Sequence, residues 1–440
     1  MELLKKHSCR AGLFLLLLLC NSEWSTAAVP ARGQFAVFPG ASGFGTETSA
    51  GRGGRILTVT NLNNSGAGSL RAAVETRGAR IIVFAVGGHI RLAKDLTFNE
   101  PFVTLAGQTA PFPGIQVSGG RITIQTHDVL IQHIRSRYGD YSGKNNSHAL
   151  RVISGAYNVV VDHCTLMWAD DEVASIWTKK LPIHDITFSN NIIAEGLGPH
   201  GYGTAIGSKY DPSLGPNWVN RVSIIKNLYA HNDERDPLVS RDSRVEIANN
   251  LSYNARGGFC LLGANNGPVD ASVVGNHYIT GAASKGYKYT IEVQRGAVGS
   301  KIFLHDNRVS GSHNRTLFRD LTGNTIISKM PLSSGYKFLP VSQVRDHVLR
   351  AVGAWPGHRD SIERRLIAEV RNETGRHKDS IADAGGWPDD YARTTSRSFA
   401  RFIPADPHGD ADGDGYTNIE EVLHQLAEEV ENNALTRLKN

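Results

Sequence analysis

Three arginines and a proline lie close together in HNDERDPLVSRDSR, residues 231–244, among four acidic residues. A guanidinium can hold a carboxylate through two parallel hydrogen bonds, so Arg235 and Arg241 are candidates for binding an acidic ligand. The residue types alone favour His231 or His200 as a proton acceptor, because a guanidinium is effectively always protonated. The alternative is that the arginines form surface ion pairs with the neighbouring acidic side chains.

A second group of suitable residues, DADGDGYTNIEE at 410–421, has the spacing of a twelve-residue calcium loop. Calcium prefers oxygen ligands, and such a loop supplies them from fixed positions around a sharp turn at a glycine. The ligands at positions 1, 3, 5, 7, 9 and 12 are Asp410, Asp412, Asp414, the Tyr416 carbonyl, Asn418 and Glu421. A helix is predicted at 419–435 and no clear helix precedes the loop, so we expect a half EF-hand with a structural role.

An internal repeat indicates how the chain positions these residues. Seven short runs alternate β-branched or apolar residues and then place Asn or His: VLIQHIRS, VVVDHCTL, ITFSNNII, VSIIKNLY, VEIANNLS, SVVGNHYI and IFLHDNRV. The marked residues are His133, His163, Asn191, Asn227, Asn250, Asn276 and Asn307, at gaps of 23 to 36 residues. One short strand per repeat, with loops of variable length, predicts coils that stack and pair their strands. Inward asparagines would then form a hydrogen-bonded ladder.

We therefore predict an all-β fold, a parallel β-helix over residues 29–330, with a short helix at 69–78 as an N-terminal cap. The alternative is a two-sheet sandwich, but the Asn-Gly and Asp-Gly turns that mark tight hairpins are scarce between the runs. Helical spacing at 347–357 and 359–370 predicts a partly helical tail over 331–404 that packs back on the coils. Residues 405–440 contain the calcium loop and its helix.

The first residues have the features of a secretory signal. Basic residues precede a short apolar core at 11–19, which is too short to span a bilayer, and small residues at 25–28 suit cleavage. We expect residues 1–28 to be removed and the protein to be secreted, with a membrane anchor as the alternative.

The composition is that of an ordinary globular chain, with 40% hydrophobic and 20% charged residues. The formal net charge of +5 is mildly favourable for an anionic partner and equally compatible with a soluble surface. Cys164 and Cys260 lie in apolar strand-like runs, so we expect buried free thiols. We expect a monomer with no nucleic-acid partner and no membrane partner.

Several longer runs carry a family resemblance. They are GRGG (51–54), VTNLNNSGAGSLRAAVE (59–75), VTLAGQTAP (103–111), VVVDHCTLMWADDE (159–172), HGYG (200–203) and AHNDERDP (230–237). Over about residues 35–310 the chain resembles secreted pectate lyases, in the β-helical polysaccharide lyase group that includes pollen allergens. The resemblance implies a right-handed parallel β-helix. It also implies a calcium-dependent β-elimination of α-1,4-linked polygalacturonate.

The resemblance implies roles for the arginines. The family's base is the arginine of an Arg-x-Pro run, which here is Arg235, followed by Asp236 and Pro237. A second arginine of the family holds a substrate carboxylate. Arg241 is the nearest match, but it falls one residue late, with Ser240 at the expected position. The strand must therefore bulge there, or the role is shifted.

The resemblance also implies a groove lysine near HGYG, at a position where this chain has Tyr202. His200 or Lys209 is then expected to take over part of the contact with substrate.

The same resemblance implies a primary calcium site built from two pairs of acidic residues. One pair falls on Asp171 and Ser175 and the other on Asn146 and His148, so one of the four carboxylates is retained. We expect Asp171 and Glu172 to be ligands. Candidates to replace the missing carboxylates are Asp170, Glu172, Glu195 and Asp233. Alternatively, the ion is bound only together with substrate carboxylates.

Two other functions stay open at this point. A β-helical hydrolase of galacturonan would need carboxylates around the scissile bond, and only the pair Asp170 and Asp171 suggests this. A non-catalytic pectin-binding protein is the other alternative, since several expected calcium ligands are missing. His163 is interpreted as a residue of the core ladder rather than a catalytic group.

Overall fold

The chain winds into stacked coils whose strands form three long parallel sheets. The computed structural model describes residues 35–139, 147–209 and 218–432, so the predicted signal at 1–28 and Asn146 lie outside the described residues. The predicted right-handed parallel β-helix is confirmed. Each complete coil contributes three strands, not the single strand expected from the repeat, because the strands of the other two sheets lack the marked residue.

Sheet I contains the strands of the marked runs and is buried on both faces over much of its length. In VVVD, Val159 and Val161 belong to the central core, whereas Val160 packs with Val37 and Leu130 on the other face. Its strands are β1 (Arg55–Val59), β2 (Arg80–Phe84), β5 (Val103–Ala106), β8 (His127–Gln132), β11 (Tyr157–Asp162), β14 (Ile183–Ser189), β17 (Val219–Ile225), β20 (Ser243–Ala248), β23 (Val269–Val274) and β26 (Lys301–His305).

Sheet II follows sheet I around a tight corner in each coil. Its strands are β3 (Val86–Arg91), β6 (Ile115–Ser118), β9 (Ile134–Arg137), β12 (Thr165–Met167), β15 (Ile192–Ala194), β18 (Leu228–Ala230), β21 (Leu251–Tyr253), β24 (His277–Thr280), β27 (Arg308–Gly311) and the antiparallel β29 (Thr395–Ser396).

Sheet III completes each coil and carries the residues discussed below. Its strands are β4 (Leu96–Phe98), β7 (Ile122–Ile124), β10 (Leu150–Ile153), β13 (Glu172–Thr178), β16 (Tyr202–Ser208), β19 (Leu238–Ser240), β22 (Cys260–Ala264), β25 (Tyr289–Val293) and β28 (Thr316–Asp320).

The predicted asparagine ladder lies at the corner between sheets I and II. The Asn227 side-chain oxygen accepts from the Asn191 backbone N–H and side-chain amide, both at 3.0 Å. Asn250 does the same for Asn227, at 2.9 and 3.0 Å, and Asn276 and Asn307 continue the column. Each of these amides also donates to a strand carbonyl, so the polar groups of a buried corner are satisfied.

His133 and His163 do not belong to this ladder, so that assignment was wrong. Both have positive φ, +58° and +46°, and occupy the corner position one residue before the ladder, as Asn190 and Lys226 do in later coils. Cys164 takes the ladder position in its coil, and its backbone N–H donates to the Asn191 side-chain oxygen at 2.8 Å. The sequence motif was therefore aligned one residue early in these two coils.

Helices pack at the N-terminal end and along sheet II. The helix α1 (Leu70–Val74) begins at Ser69, whose hydroxyl accepts from the Ala72 N–H. Two helices of the tail, α2 (Val341–Ala351) and α3 (Ser361–Asn372), bury their apolar faces against sheet II. The first of them begins earlier than the run at 347–357 predicted.

A buried ion-pair network attaches the start of α3 to β9. Arg137 contacts the Asp360 carboxylate at 2.7 Å and Arg135 contacts Glu363 at 2.9 Å, and all four side chains are almost completely buried. Loss of one member would leave an uncompensated buried charge, which typically costs about 3–5 kcal/mol.

The last described helix, α4 (Asn418–Glu431), crosses several coils in succession. Glu420 pairs with Arg52 at 2.9 Å near its beginning, and Glu431 approaches His133 and His163 at its end. Its apolar face, which includes Leu423, is part of the central core.

Two further sequence expectations concern the described residues. Cys164 and Cys260 are buried free thiols, as predicted. No helix in the described ranges is long and apolar enough to cross a membrane.

The ladder can be tested with Asn250→Ala. The substitution removes the acceptor of two buried Asn227 donors, each of which costs about 1–3 kcal/mol when left unpaired. We expect the free energy of unfolding to fall by about 2–6 kcal/mol, measured by chemical denaturation. Asn63→Ala, at an exposed position, is the control and should change it by less than about 0.5 kcal/mol. Equal stability of the two variants would contradict a stabilising ladder.

Candidate functional site

An open groove of about 680 Å³ runs along the outer face of sheet III, over β10, β13, β16 and β19. Six of its sixteen lining residues are charged. The basic ones are Arg151, Lys179, Lys180 and Arg235, and the acidic ones are Asp171 and Glu172, with His148 beside them. A groove of this kind, open at the surface and rich in cations, suits an extended anionic chain.

Arg235 points into this groove from the loop that precedes β19. Its NH1 donates to the Glu172 carboxylate on the neighbouring coil, and its guanidinium lies over the Tyr202 ring, 3.8 Å from the centroid. The side chain is 23% exposed. A carboxylate on one side and an aromatic face below restrict its position, while the remaining guanidinium surface stays accessible.

The HGYG run explains how this loop approaches sheet III so closely. A Cβ on Gly203 would lie 2.3 Å from the Asp236 carboxylate and 2.5 Å from the Arg235 carbonyl. The Thr204 N–H donates to that same carbonyl at 2.6 Å, which fixes the loop against β16. Only glycine leaves the space that this contact requires.

His148, Asp171 and Glu172 form a cluster that could hold a cation next to Arg235. One ligand atom of each lies within 4.8 Å of the others. The His148 Nδ1 donates to the Glu172 carbonyl at 2.9 Å, so Nε2 keeps its lone pair on the side of Asp171, 3.9 Å away.

The electrostatics of this cluster favour a bound positive charge. Burial and the negative charge of Glu172 raise the pKa of Asp171 well above its usual range. Burial lowers the pKa of His148, which keeps the imidazole neutral. Two carboxylates match part of the oxygen set that calcium prefers, whereas an imidazole is not among its usual ligands. Asp171 and Glu172 could therefore supply part of a calcium site.

The other expected substrate contacts are not all gathered here. Tyr202 lies beneath Arg235, and the His200 ring packs on Tyr202 with centroids 4.9 Å apart. Arg241 does not line the groove, and its Nε donates to Asp242 at 2.7 Å. Lys209 follows the far end of β16, about 20 Å along the strand from Tyr202. Neither Arg241 nor Lys209 is among the residues that line this groove, so their expected contact with substrate stays a prediction.

A bulge lies beside the strand that precedes Arg241. The pairing of β19 with β22 shifts register between Val239 and Ser240, which is a bulge. Ser240 is fully buried, and its hydroxyl donates to the Ala264 carbonyl at 3.2 Å. The extra residue of the bulge is Gly263 of β22, since Val239 pairs with Leu262 and Ser240 with Ala264, so β19 itself carries no insertion before Arg241.

Three other candidates have structural roles. The Asp170 carboxylate accepts from the Ser147 N–H at 2.9 Å. Glu195 is fully buried and pairs with Arg365 of α3 at 2.6 Å, so it cannot contribute to a site in the groove. His231, favoured as a base by residue type alone, is also fully buried.

Sequence reasoning missed Arg151, Trp177, Lys179 and Lys180. Arg151 stands in register with Ser175, on the strand beside it, so a cation lies next to the position where a carboxylate was expected. Arg151 Nε donates to the Thr123 hydroxyl at 2.9 Å, which orients it along the sheet. The signal was the outward position of Arg151 in RVIS, but its neighbours in space are about 25 residues away in sequence.

In the loop at 410–421, the predicted calcium ligands include three acidic side chains that lie close together. Ligand atoms of Asp410, Asp412 and Asp414 lie within 4.8 Å of one another. Desolvation and the negative charges of Asp412 and Asp414 raise the pKa of Glu421, which indicates that its carboxylate faces the same group. The described residues 403–409, directly before the loop, contain no α-helix.

Several known proteins are similar to this chain in sequence. An Aspergillus flavus protein named probable pectate lyase C is 32% identical to this chain over 414 residues. The match covers 88% of this chain and 93% of that protein. The Emericella nidulans protein of the same name is 36% identical over 368 residues, covering 81% and 79%. No family model matches the chain.

Solved structures agree on the fold. The cedar pollen allergen jun a 1 has a TM-score of 0.54 at 18% identity, over 70% of this chain and 91% of that one. A Bacillus subtilis pectate lyase has a TM-score of 0.52 at 15% identity, over 74% and 99%. The fold and these relatives define a β-helical polysaccharide lyase. The chain belongs to the pectate lyase family.

Proposed function

We propose that this protein cleaves α-1,4-linked polygalacturonate by β-elimination in the groove of sheet III, with Arg235 as the base. The observation that carries the proposal is the placement of Arg235. Its guanidinium lies over Tyr202, contacts Glu172 and projects into a groove rich in cations.

The reaction removes the proton from C5 of a galacturonate residue. The electrons of the C5–H bond form the C4=C5 double bond, the C4–O glycosidic bond breaks, and the leaving oxygen takes a proton from water. Arg235 must be neutral to accept the C5 proton, although guanidinium is very weakly acidic. The hydrogen bond that Arg235 donates to the Glu172 carboxylate engages the guanidinium that must accept this proton. Displacement of the Glu172 contact by substrate binding is therefore part of the proposal.

The basic residues along the groove bind the carboxylates of the substrate. Arg151, Lys179 and Lys180 extend the positive surface away from Arg235. They take the role that the family resemblance gave to Arg241 and Lys209. His200 contributes indirectly, because it packs on Tyr202.

Asp171 and Glu172 hold calcium together with substrate carboxylates. A bound calcium ion supplies positive charge that neutralises the galacturonate carboxylate and so stabilises charge that develops at C5. The protein holds the carboxylates in place through the backbone of β13 and its contact with His148.

A second calcium ion has a structural role in the loop at 410–421. We assign it to Asp410, Asp412, Asp414, the Tyr416 carbonyl, Asn418 and Glu421. This loop directly precedes α4, so an ion here fixes the start of that helix.

The proposal includes export of the chain as a monomer after removal of residues 1–28. The substrate is a plant polysaccharide too large to enter a cell, which agrees with a signal at the N-terminus.

Arg235→Ala tests the assignment of the base. We expect the rate of unsaturated product formation from polygalacturonate to fall by about 10²–10⁴-fold, because a positioned base is lost. The product is measured by its ultraviolet absorbance. Retention of the rate would exclude Arg235 as the base.

Arg319→Ala is the matched control for that experiment. Arg319 lies over the Tyr289 ring at 4.5 Å and approaches Glu292 at 3.9 Å, on β28 at the far end of the same sheet. Its removal should leave the rate within about twofold, since the site is not touched. New reducing ends without ultraviolet absorbance would favour a hydrolase, and binding without either signal would favour a non-catalytic protein.

Calcium removal tests the loop at 410–421. Calcium at about 100 times its dissociation constant stabilises a folded protein by about 2.7 kcal/mol, so a chelator should lower the melting temperature. Glu421→Gln should abolish most of this shift, whereas Glu428→Gln, exposed on the same helix, should retain it. A calcium-dependent shift that survives Glu421→Gln would assign the effect to another site.

A further inference from the structure

Two histidines from successive coils stack beneath the end of α4. The rings of His133 and His163 lie 5.3 Å apart between centroids, with 13° between their planes. They occupy the corner between sheets I and II, whereas the groove lies on sheet III. Glu431, the last residue of α4, faces both of them.

The hydrogen bonds of His133 determine which ring nitrogen is free. Nδ1 lies 2.8 Å from the Ala354 carbonyl, which can only accept, so Nδ1 carries the proton. Nε2 therefore keeps its lone pair. The side chain is completely buried, and Nε2 has no hydrogen-bond partner among the described residues.

The free nitrogen faces another electron donor. His133 Nε2 lies 3.4 Å from the Glu431 carboxylate oxygen. Two lone pairs at this distance in a buried site repel each other unless a cation or a proton lies between them. Their arrangement thus indicates an occupant with positive charge.

His163 completes the group of donors. Its Nδ1 lies 2.6 Å from Asp162 and 3.7 Å from Glu431. One ligand atom each of His133, His163 and Glu431 lies within 4.8 Å of the others. Asp162 is itself held by the Ser189 hydroxyl at 2.6 Å. Because Nδ1 is hydrogen-bonded to Asp162, the nitrogen of His163 that remains to bind a metal is Nε2, and a carboxylate on the other nitrogen commonly orients a metal-binding imidazole.

We propose that His133, His163 and Glu431 bind one divalent transition-metal ion of the zinc class. Two imidazoles and a carboxylate suit zinc, with bonds of about 2.0–2.2 Å, and do not suit calcium. Tetrahedral ligands at that bond length lie about 3.3 Å apart. The two stacked rings are nearly parallel, so the site closes when one imidazole rotates and Glu431, at the end of a helix, moves by about 1 Å.

The charges around the site are compatible with this ion. The carboxylates of Asp162 and Glu431 together balance a charge of two. Lys226 follows in the same corner column and is attracted by both carboxylates, so its ammonium competes for them. Binding of the metal ion also attaches the last turn of α4 to two coils at once.

Bound metal ions are first removed from the full-length protein, and excess calcium is then added. The calcium occupies sites rich in oxygen ligands, so zinc is measured at the remaining sites. Zinc is titrated by calorimetry, and the melting temperature is recorded with and without it. We expect one zinc equivalent and a higher melting temperature. Glu431→Gln should weaken zinc binding by more than about 100-fold. This loss exceeds the one typical of a residue that only hydrogen-bonds to a metal ligand.

Two controls separate this site from the rest of the molecule. Glu428→Gln, on the same helix, should bind zinc as wild type does. Glu172→Gln should also retain zinc binding, since it removes the candidate cation site in the groove. The rate of polygalacturonate cleavage in the presence of calcium should be unchanged in Glu431→Gln. Failure of the proposed lyase activity and failure of the proposed zinc site are therefore distinguishable.

The wild-type protein provides a measurement that does not depend on folding of a variant. Cobalt bound in place of zinc should give the strong visible absorbance of tetrahedral coordination, in the presence of calcium. Absence of zinc binding and of this absorbance overturns the proposal. Zinc binding that survives Glu431→Gln overturns it as well.

Discussion

Each strand within a sheet forms its hydrogen bonds with the equivalent strands of the coils before and after it. Side chains at equivalent positions of successive coils therefore lie in columns along the stack. Neighbouring strands lie about 4.8 Å apart, and side chains in register therefore stack at that spacing. The buried column of Asn191 to Asn307 uses this spacing to satisfy amides with amides. The stacked rings of His133 and His163 use it to bring two imidazoles together. The local sequence determines which residue occupies a given column in each coil, and the stacking of the coils determines its neighbours.

The groove applies the same rule to charge. Glu172 and Tyr202 stand in register on adjacent strands, and the loop before β19 brings Arg235 over both. In the next outward column Arg151 stands beside Ser175. The chain thus replaces negative charge with positive charge near the expected calcium position. In the proposed reaction, neutralisation of the acidic sugar is shared between these side-chain cations and a calcium ion held by Asp171 and Glu172.

Sequence patterns predicted the architecture more fully than the site. The repeated asparagines identified the coils because their spacing must recur wherever they stack, and Arg235 in Arg-x-Pro pointed to the groove through a family resemblance. The position of His163 was wrong by one residue, because a corner with positive φ can be occupied by His as well as Asn. Arg241 contacts Asp242 and does not line the groove, which no pattern in the sequence indicates. Arg151 was missed because its partners are set by loop lengths between coils.

The contact between α4 and the first coils joins the two ends of the chain. Arg52 and Glu420 are 368 residues apart in sequence, yet their side chains meet in a buried ion pair. During synthesis the early coils emerge long before the segment that covers them. Their apolar corner stays open to water until the final helix leaves the ribosome, and the N-terminal part cannot reach its finished state before that moment. This order suits the proposed export, because a polypeptide must remain unfolded until it has been threaded through a narrow translocation channel.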